Sequence, residues 1–360
     1  MANLDLRHIA APMINQSDLP FRALAHAHGA TLSFTQMLHP AQLLADRDYL
    51  AFHRRNLELG KAADLDGRVV VQLCGNDPEA VVRGARTVVD VCDGIGAPFQ
   101  KYPDLNLGCP QEVAREGHFG AYLLHPKDWP LVESMVSSLA KSLPVPVSAK
   151  LRLCSPSSAT LTLAQELEAA GASFVTLHAR HVSARRRRQG PADLSVVKAL
   201  VEGLSVPVVS NGNVRTWADV EENLGYTGAE GVMVGETLLG NPYLFEDKLP
   251  DPIRISLEYL ALCRAYPGTA SIVTIQTHVR HFIAFQCERR PWFHKFRSAL
   301  AQCASIDDIE ALLKGRVRRW RGEASEGLKA ELGAEDGEGE AADDDTHDDL
   351  DLSLDDHIVE

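Results

Sequence analysis

Residues 1–250 alternate between short apolar runs and longer segments in which apolar residues recur at helical spacing. The runs are apolar almost throughout, as expected of parallel strands that are covered on both faces. They span residues 7–13, 32–37, 68–73, 104–107, 146–153, 173–179, 207–212 and 231–235. The helical segments between them include 78–91, 128–141, 161–170, 193–201 and 217–224, several of which begin at a proline or a capping residue.

Eight strands that alternate with helices over roughly 250 residues predict an α/β fold, a closed (β/α)8 or TIM barrel. A doubly wound open sheet is the alternative for such a chain. No GxGxxG motif follows the first strand, so the sequence gives little support to a dinucleotide-binding fold of that type.

After residue 250 the pattern becomes all helical, with amphipathic segments at 274–286, 291–302 and 306–320. Residues 251–322 carry 12 lysines and arginines against 6 acidic residues. Residues 323–360 contain 16 acidic residues, one lysine and no aromatic residue, a composition typical of a disordered tail. The predicted organisation is a barrel domain (1–250), a carboxyl-terminal helical domain (251–322) and a disordered acidic tail (323–360).

Composition narrows the class of protein further. The net charge of −13 comes from the acidic tail, because the residues before it sum to a small positive charge. The seven cysteines form no CxxC pair and no zinc-ligand spacing, so reduced thiols and no metal site are expected. No apolar run approaches the ~20 residues that span a bilayer, and the first residues do not resemble a secretory signal. A protein of the cytoplasm is expected, with nuclear residence left open and no membrane partner.

Polar residues end most of the predicted strands. In a (β/α)8 barrel the carboxyl ends of the strands form the active site, so these residues are the informative ones. The residues at these strand ends are Pro12 and Met13, Gln72, Asn106, Lys150 with Arg152, His178 with Arg180, Asn211-Gly212-Asn213 and Gly235-Glu236. A single buried Gln or His is commonly a satisfied core residue, but the repetition at strand after strand favours a binding site.

The residue types at the strand ends suit a phosphorylated flavin. The segments that follow the seventh and eighth strands place flexible backbone where barrel proteins commonly bind phosphate. The amide of Gln72 can both donate to and accept from the uracil-like edge of an isoalloxazine ring. Lys150 next to that ring would stabilise its reduced, anionic form; the alternative is that this lysine pairs with a carboxylate inside the barrel.

Cys109 lies in the sequence Asn-Leu-Gly-Cys-Pro directly after the fourth strand. Glycine and proline bound this loop, so the thiol is expected to be exposed at the barrel mouth, where it is a candidate proton donor. The other six cysteines are interpreted as small apolar residues.

Seven segments together resemble the tRNA-dihydrouridine synthase family. They are Ala11-Pro12-Met13, residues 71–78 (VQLCGNDP), residues 104–111 (DLNLGCPQ), Lys150-Leu151-Arg152, His178-Ala179-Arg180, residues 210–213 (SNGN) and residues 241–245 (NPYLF). The resemblance covers residues 7–247, and residues 111–121 and 234–236 are most similar to the eukaryotic tRNA-dihydrouridine(16/17) synthase branch. Ala179 and Glu236 depart from residues found elsewhere in the family, so a phosphate near Glu236 would rely on backbone donors.

The resemblance implies an oxidoreductase in which FMN, reduced by NADPH or NADH, passes a hydride to C6 of a D-loop uridine in tRNA, while Cys109 gives a proton to C5. The residues carried over as FMN contacts are Pro12, Met13, Gln72, Lys150, His178, Asn211, Gly212, Asn213, Gly235 and Glu236. The predicted substrate contacts are Asn106, Arg152, Arg180, Arg185, Arg186, Arg289, Arg290, Lys295 and Arg297, many of which suit a phosphate backbone.

Three alternatives stay open. Residues 96–103 (GAPFQKYP) interrupt the fourth strand with two prolines, so they are expected either to bulge from the amino-terminal side of the barrel or to lie outside the functional protein.

A flavin barrel that acts on a free pyrimidine-like molecule would need neither the arginine-rich loop at 185–188 nor the basic helical domain. A catalytically silent RNA-binding barrel would need no thiol at position 109. The expected oligomeric state is a monomer.

Overall fold

A computed structural model describes residues 4–65, 67–89, 101–183 and 190–322 of the chain. The predictions for residues 96–100, for Arg185 and Arg186 and for the acidic tail lie outside these ranges. Met1–Val317 forms one compact unit, and a second unit, Arg318–Glu360, is described only as far as residue 322. The boundary between a barrel domain and a helical domain at residue 250 stays a prediction.

Eight parallel strands close into a barrel in sequence order, which confirms the predicted (β/α)8 fold. The strands are β1 (His8–Ala10), β2 (Leu32–Phe34), β3 (Val69–Leu73), β4 (Lys101–Leu107), β5 (Val147–Arg152), β6 (Ala172–His178), β7 (Val208–Asn211) and β8 (Gly231–Val234). The first and last strands pair with each other, with Ile9 opposite Met233. Closure leaves none of these eight strands with an exposed edge for pairing with another chain.

Helices connect the strands and surround the barrel. Up to β8 they are α1 (Leu19–Ala27), α2 (Pro40–Ala45), α3 (Arg47–Glu58), α4 (Pro78–Val89), α5 (Glu112–Glu116), α6 (Trp129–Ser142), α7 (Ala159–Ala169), α8 (Leu194–Gly203) and α9 (Trp217–Thr227). After β8 follow α10 (Glu236–Gly240), α11 (Pro252–Ala265), α12 (Ile272–Cys287), α13 (Phe293–Leu300), α14 (Ile306–Ala311) and, in the second unit, α15 (Arg318–Trp320). Residues 306–320 are helical as predicted, and the six residues Leu312–Val317 after α14 form a π-helix.

The barrel interior consists of an apolar floor and a polar rim. The floor is a buried cluster that includes Ile9, Phe34, Tyr102, Phe174 and Met233. The opposite faces of the strands pack with the helices in a larger apolar cluster. Because side chains alternate along a strand, residues two and four places after a floor position also face the interior, nearer to the carboxyl ends. These positions form the polar rim.

The fourth strand begins earlier than predicted. The residues before position 104 are expected to bulge out, but β4 already starts at Lys101. Tyr102 is buried in the barrel floor, and Pro103 lies opposite Val71 of β3. The pairing of β4 with β5 starts only at Asp104, so Pro103 precedes that ladder and its missing N–H group interrupts no bond there. The expected bulge is therefore wrong for residues 101–103.

The helices that follow β8 dock on α1 through buried polar contacts. Asp18 is the N-cap of α1, and its carboxylate also accepts hydrogen bonds from the Tyr259 hydroxyl (3.2 Å) and from His278 Nε2 (2.7 Å). At the other end of α1, His28 lies between Glu246 and Glu258. Within the described ranges no helix combines the length and the apolar character needed to cross a membrane.

Candidate active site

Side chains from neighbouring strands form the polar rim at the carboxyl ends of the barrel. Strand pairing places Asn106 of β4 opposite Lys150 of β5, and Arg152 of β5 opposite His178 of β6. His178 in turn lies opposite Asn211 of β7. The structure thus brings together five of the residues predicted from sequence, because each ends or nearly ends its strand.

A chain of hydrogen bonds runs from the rim to the loop that carries Cys109. Gln72 Nε2 donates to Asp104 Oδ2 (2.8 Å), and Asn106 Nδ2 donates to Gln72 Oε1 (2.7 Å). Asn106 Oδ1 accepts the backbone N–H groups of Gly108 (3.0 Å) and Cys109 (2.9 Å). Gln72 is 1% exposed, and the chain leaves over one amide N–H and one lone pair of the amide oxygen for its predicted contact with a flavin.

Two members of this network, Asp104 and Ser148, are not among the site residues predicted from sequence. Both are fully buried, and Ser148 Oγ donates to Asp104 Oδ1 (2.7 Å). Burial raises the pKa of Asp104 to about 6, although hydrogen bonds from Gln72 and Ser148 act in the opposite direction. The sequence does hold a signal: the alternation in Asp-Leu-Asn-Leu puts Asp104 on the same strand face as Asn106.

The Cys109 thiol is less accessible than predicted. Its side chain is 8% exposed and packs with Met37, Cys74 and Phe119. The reason is that the chain beyond Cys109 folds back over it, and the Ala121 N–H donates to the Cys109 carbonyl oxygen (3.1 Å). The expectation of an exposed thiol is therefore wrong. The loop nevertheless follows β4 directly, at the carboxyl end of the barrel.

Arg152 is held by the backbone of two loops. Its Nε atom donates to the Gly108 carbonyl oxygen (2.9 Å) and its Nη1 atom to that of His181 (3.0 Å). The guanidinium thereby links the cysteine loop to the loop after β6. A fixed cation at this place adds positive charge to the rim.

Lys150 and His178 are the two rim bases whose protonation is most perturbed. Burial is the main cause that lowers the pKa of Lys150 to about 8, and the charge of Arg152 adds to it. Burial, followed by the charges of Lys150, Arg152 and Arg180, holds the pKa of His178 well below 6.5. The imidazole is therefore neutral near pH 7. Among the described residues, the side chains of Lys150 and His178 form no hydrogen bond or ion pair.

The side chains of Asn211 and Asn213, at the turn after β7, form hydrogen bonds with the protein backbone. Asn211 Nδ2 donates to the Met233 carbonyl oxygen (2.8 Å), and the Asn213 side chain exchanges two hydrogen bonds with the backbone of Ala192. Gly212 and Asn213 have φ angles of 133° and 60°. A phosphate at this turn would therefore contact main-chain N–H groups rather than these side chains.

Pro12, Met13, Gly235 and Glu236 lie where the first and last strands meet. β1 pairs with β8, and both pairs of residues follow these strands. A Cβ atom at Gly235 would lie 3.6 Å from Met13 Sδ, so the two segments are in contact. The structure brings these four predicted residues to one side of the barrel mouth.

The predicted tRNA contacts outside the barrel are surface residues. Arg289 and Arg290 lie between α12 and α13, while Lys295 and Arg297 are on α13, and all four are exposed. None of the four forms an ion pair with another residue of the described ranges, so their charges are available to a polyanion.

A closed parallel barrel whose polar residues gather at the carboxyl ends of its strands is the arrangement of (β/α)8-barrel enzymes. Comparison with known families is more specific. The family profile described as Dihydrouridine synthase (Dus) matches residues 9–327, and the chain belongs to this family.

Curated relatives cover most of this chain. A mouse protein named tRNA-dihydrouridine(16/17) synthase [NAD(P)(+)]-like is 34% identical over 326 residues, which are 90% of this chain and 65% of that protein. The Saccharomyces cerevisiae tRNA-dihydrouridine(16/17) synthase [NAD(P)(+)] is 36% identical over 66% of this chain and 53% of its own length. A human tRNA-dihydrouridine(20a/20b) synthase-like protein is 31% identical over 68% of this chain and 73% of its own. The chain therefore spans only about half to two thirds of the (16/17) relatives' length.

Solved structures with the same barrel are more distant in sequence. A complex of 2-naphthoyl-CoA reductase with 2-naphthoyl-CoA superimposes with a TM-score of 0.53 at 10% identity, over 67% of this chain and 49% of that one. Histamine dehydrogenase from Rhizobium sp. 4-9 gives a TM-score of 0.52 at 11% identity, over 72% and 50% of the two chains. At these identities the likeness shows the fold alone.

Proposed function

We propose that this protein reduces the C5=C6 bond of a uridine in tRNA to dihydrouridine, with FMN as the hydride carrier and NADPH or NADH as the source of electrons. The family and the names of the curated relatives support the reaction class and the use of NAD(P). The observation that carries the proposal for this chain is a thiol loop tied to Asn106 beside a rim of basic residues. The reaction adds a hydride to C6 and a proton to C5, and NAD(P)H is oxidised.

The residues at the mouth fit a flavin. A buried ammonium without a partner is costly, so Lys150 calls for an acceptor atom from a ligand. The pyrimidine edge of an isoalloxazine offers such acceptors, and the turn at Gly212 and Asn213 suits its phosphate through backbone N–H groups. When bound, the flavin supplies the hydride.

The chain's own residues hold the substrate and supply the proton. Cys109 carries the proton that is added to C5, and cations such as Arg180 stabilise negative charge that develops on the O4 atom of the uracil. Cys109 is 8% exposed as a residue, so only a small part of its surface is open to a base in this structure. The neutral imidazole of His178 and the ammonium group of Lys150 orient the flavin and the base.

The preferred substrate is proposed to be uridine 16 or 17. Both the mouse and the yeast relative are named for these positions and are more similar to this chain than the (20a/20b) relative is. The exposed Arg289, Arg290, Lys295 and Arg297 are proposed to bind the tRNA backbone, together with Arg185 and Arg186. A cytoplasmic monomer remains the expectation.

A direct assay tests this function. The purified protein is incubated with NADPH and an unmodified tRNA transcript, and dihydrouridine is located by nuclease digestion and mass spectrometry. We expect NADPH-dependent dihydrouridine at position 16 or 17, none with Cys109→Ala, and normal levels with Cys303→Ala, which alters a thiol between α13 and α14. Reduction of free uridine monophosphate at the same rate would favour a small-molecule reductase instead. A colourless protein that binds tRNA without reducing it would indicate the silent RNA-binding alternative.

A further inference from the structure

The hydrogen-bond chain inside the barrel has a direction, and that direction is set at Asp104. An ionised carboxylate only accepts hydrogen bonds. Asp104 Oδ1 accepts from Ser148 Oγ (2.7 Å) and Oδ2 accepts from Gln72 Nε2 (2.8 Å). Gln72 must therefore turn its amide nitrogen toward Asp104 and its amide oxygen away from it.

The orientation of Gln72 passes on to the cysteine loop. Because Gln72 Oε1 faces Asn106, the Asn106 amide nitrogen donates to it (2.7 Å). The Asn106 oxygen then faces the N–H groups of Gly108 and Cys109, at 3.0 and 2.9 Å. If Gln72 were turned over, two amide nitrogens would meet. Asn106 would have to turn as well and would present donors to the donors of the loop.

We propose that Asp104 is a positioning residue for the uridine reduction: it fixes the direction of this chain and so holds the Cys109 loop in place through Gln72 and Asn106. The proposal depends on the function proposed above only for its effect on turnover. Its structural part concerns bonds within this chain alone.

The electrostatic setting is consistent with an anion at this position. Gln72 from β3 and Ser148 from β5 are neutral, and the charged side chain that acts on Asp104 is Lys150 of β5. Burial brings the pKa of Asp104 to about 6, so the carboxyl is ionised and acceptor-only at pH 7.5. A neutral asparagine of the same shape would avoid the cost of burying this charge, but it would not fix the direction of the chain.

Asp104→Asn tests the proposal, because asparagine keeps the shape but has one donor edge and one acceptor edge. The Gln72 amide is then no longer forced into one orientation, and part of the population loses the bond to the loop. Hydrogen exchange of the Gly108 and Cys109 amides in the cofactor-free protein reports this directly, and Pro110 contributes no amide to the same peptide. We expect exchange at pH 7.5 to speed up by roughly fivefold or more, the effect of losing about one hydrogen bond.

The matched control is Ser210→Ala. Ser210 is fully buried in β7, next to the floor residue Val209 and so on the strand face that points away from the barrel interior, and its hydroxyl has no hydrogen-bond partner among the described residues. This variant should leave both loop exchange and turnover within about twofold of the wild type. Asn106→Ala removes the bond to the loop altogether and sets the upper limit of the exchange effect. Far-ultraviolet circular dichroism and exchange in peptides from β6 to β8 verify that each variant is folded.

Turnover provides the second measurement. Asp104→Asn should lower kcat about as much as loop exchange rises, with the KM for tRNA unchanged. Unchanged loop exchange in a folded Asp104→Asn protein would overturn the proposal, and so would faster exchange with unchanged kcat. If the wild-type protein reduces no uridine, the proposed function fails, yet the exchange comparison still decides whether Asp104 directs the chain.

Discussion

Asp18→Ala should destabilise the protein well beyond the loss of an ordinary helix cap. Asp18 caps α1 by accepting the Phe21 N–H (3.0 Å), and the same carboxylate accepts hydrogen bonds from Tyr259 and His278. The two latter residues belong to α11 and α12, and both are fully buried. The substitution therefore removes a cap and also leaves two buried donors without an acceptor.

The size of the effect follows from these three bonds. Loss of an N-cap costs about 1 kcal/mol. Each buried donor left unsatisfied costs about 1–3 kcal/mol, because water does not replace the lost acceptor. The free energy of unfolding should thus fall by about 3–7 kcal/mol, a large part of the ~5–15 kcal/mol that stabilises a typical domain.

Urea denaturation of the full chain, followed by circular dichroism, measures the change. Asp46→Ala is the matched control, because Asp46 caps α3 by accepting the N–H groups of Asp48 and Tyr49 at an exposed position. It should cost only about 1 kcal/mol. If Asp18→Ala costs no more than Asp46→Ala, the buried contacts between α1 and the helices after β8 do not contribute to stability as argued here.

Three further outcomes are expected. Because the folded pKa of Asp104, about 6, lies above its ordinary 3.8, the stability that its protonated form provides is lost as pH rises through 6. Relative to that of the wild type, the free energy of unfolding of Asp104→Asn should therefore rise by about 1–2 kcal/mol between pH 5 and pH 8, as measured by urea denaturation. A difference between the two proteins that stays constant over this range would contradict the buried anion. Gly240→Ala should destabilise, since its Cβ would lie 2.2 Å from an aromatic ring of α12, whereas Gly225→Ala, in α9 with open space around it, should stabilise by up to about 1 kcal/mol; equal effects would argue against this packing. Replacing both Arg289 and Arg290 with Gln should weaken tRNA binding and lower its log–log salt slope by roughly 1.5; an unaltered slope in a filter-binding titration would exclude them as phosphate contacts.

Much of the fold is readable from hydrophobic patterning. Each predicted apolar run contains or overlaps a strand, because strands covered on both faces consist mainly of apolar residues. The start of β4 is the exception. A proline at position 103 argues locally against a strand, but the ladder to β5 begins only one residue later, and this register is a tertiary feature that local rules do not contain.

The site is predictable by residue type but not by geometry. Polar residues at strand ends identify the rim, yet the burial of Cys109 depends on Met37, which follows β2, and on Phe119, from the segment that folds back over the cysteine. The sequence pattern does not identify Asp104 as a site residue, for a related reason. Its alternation with Asn106 assigns it to one face, but only the register of three strands shows that it meets Gln72 and Ser148.

The central claim is that Cys109 protonates a tRNA uridine, and half-reactions measured separately test it most directly. Protein loaded with FMN is first reduced anaerobically by NADPH and then mixed with unmodified tRNA, while the flavin absorbance is followed. We expect Cys109→Ala to be reduced by NADPH at the wild-type rate but to be reoxidised by tRNA at least 100-fold more slowly, in line with the ~10²–10⁴-fold contribution of a general acid. Reoxidation of the Cys109→Ala protein by tRNA at the wild-type rate would contradict the account.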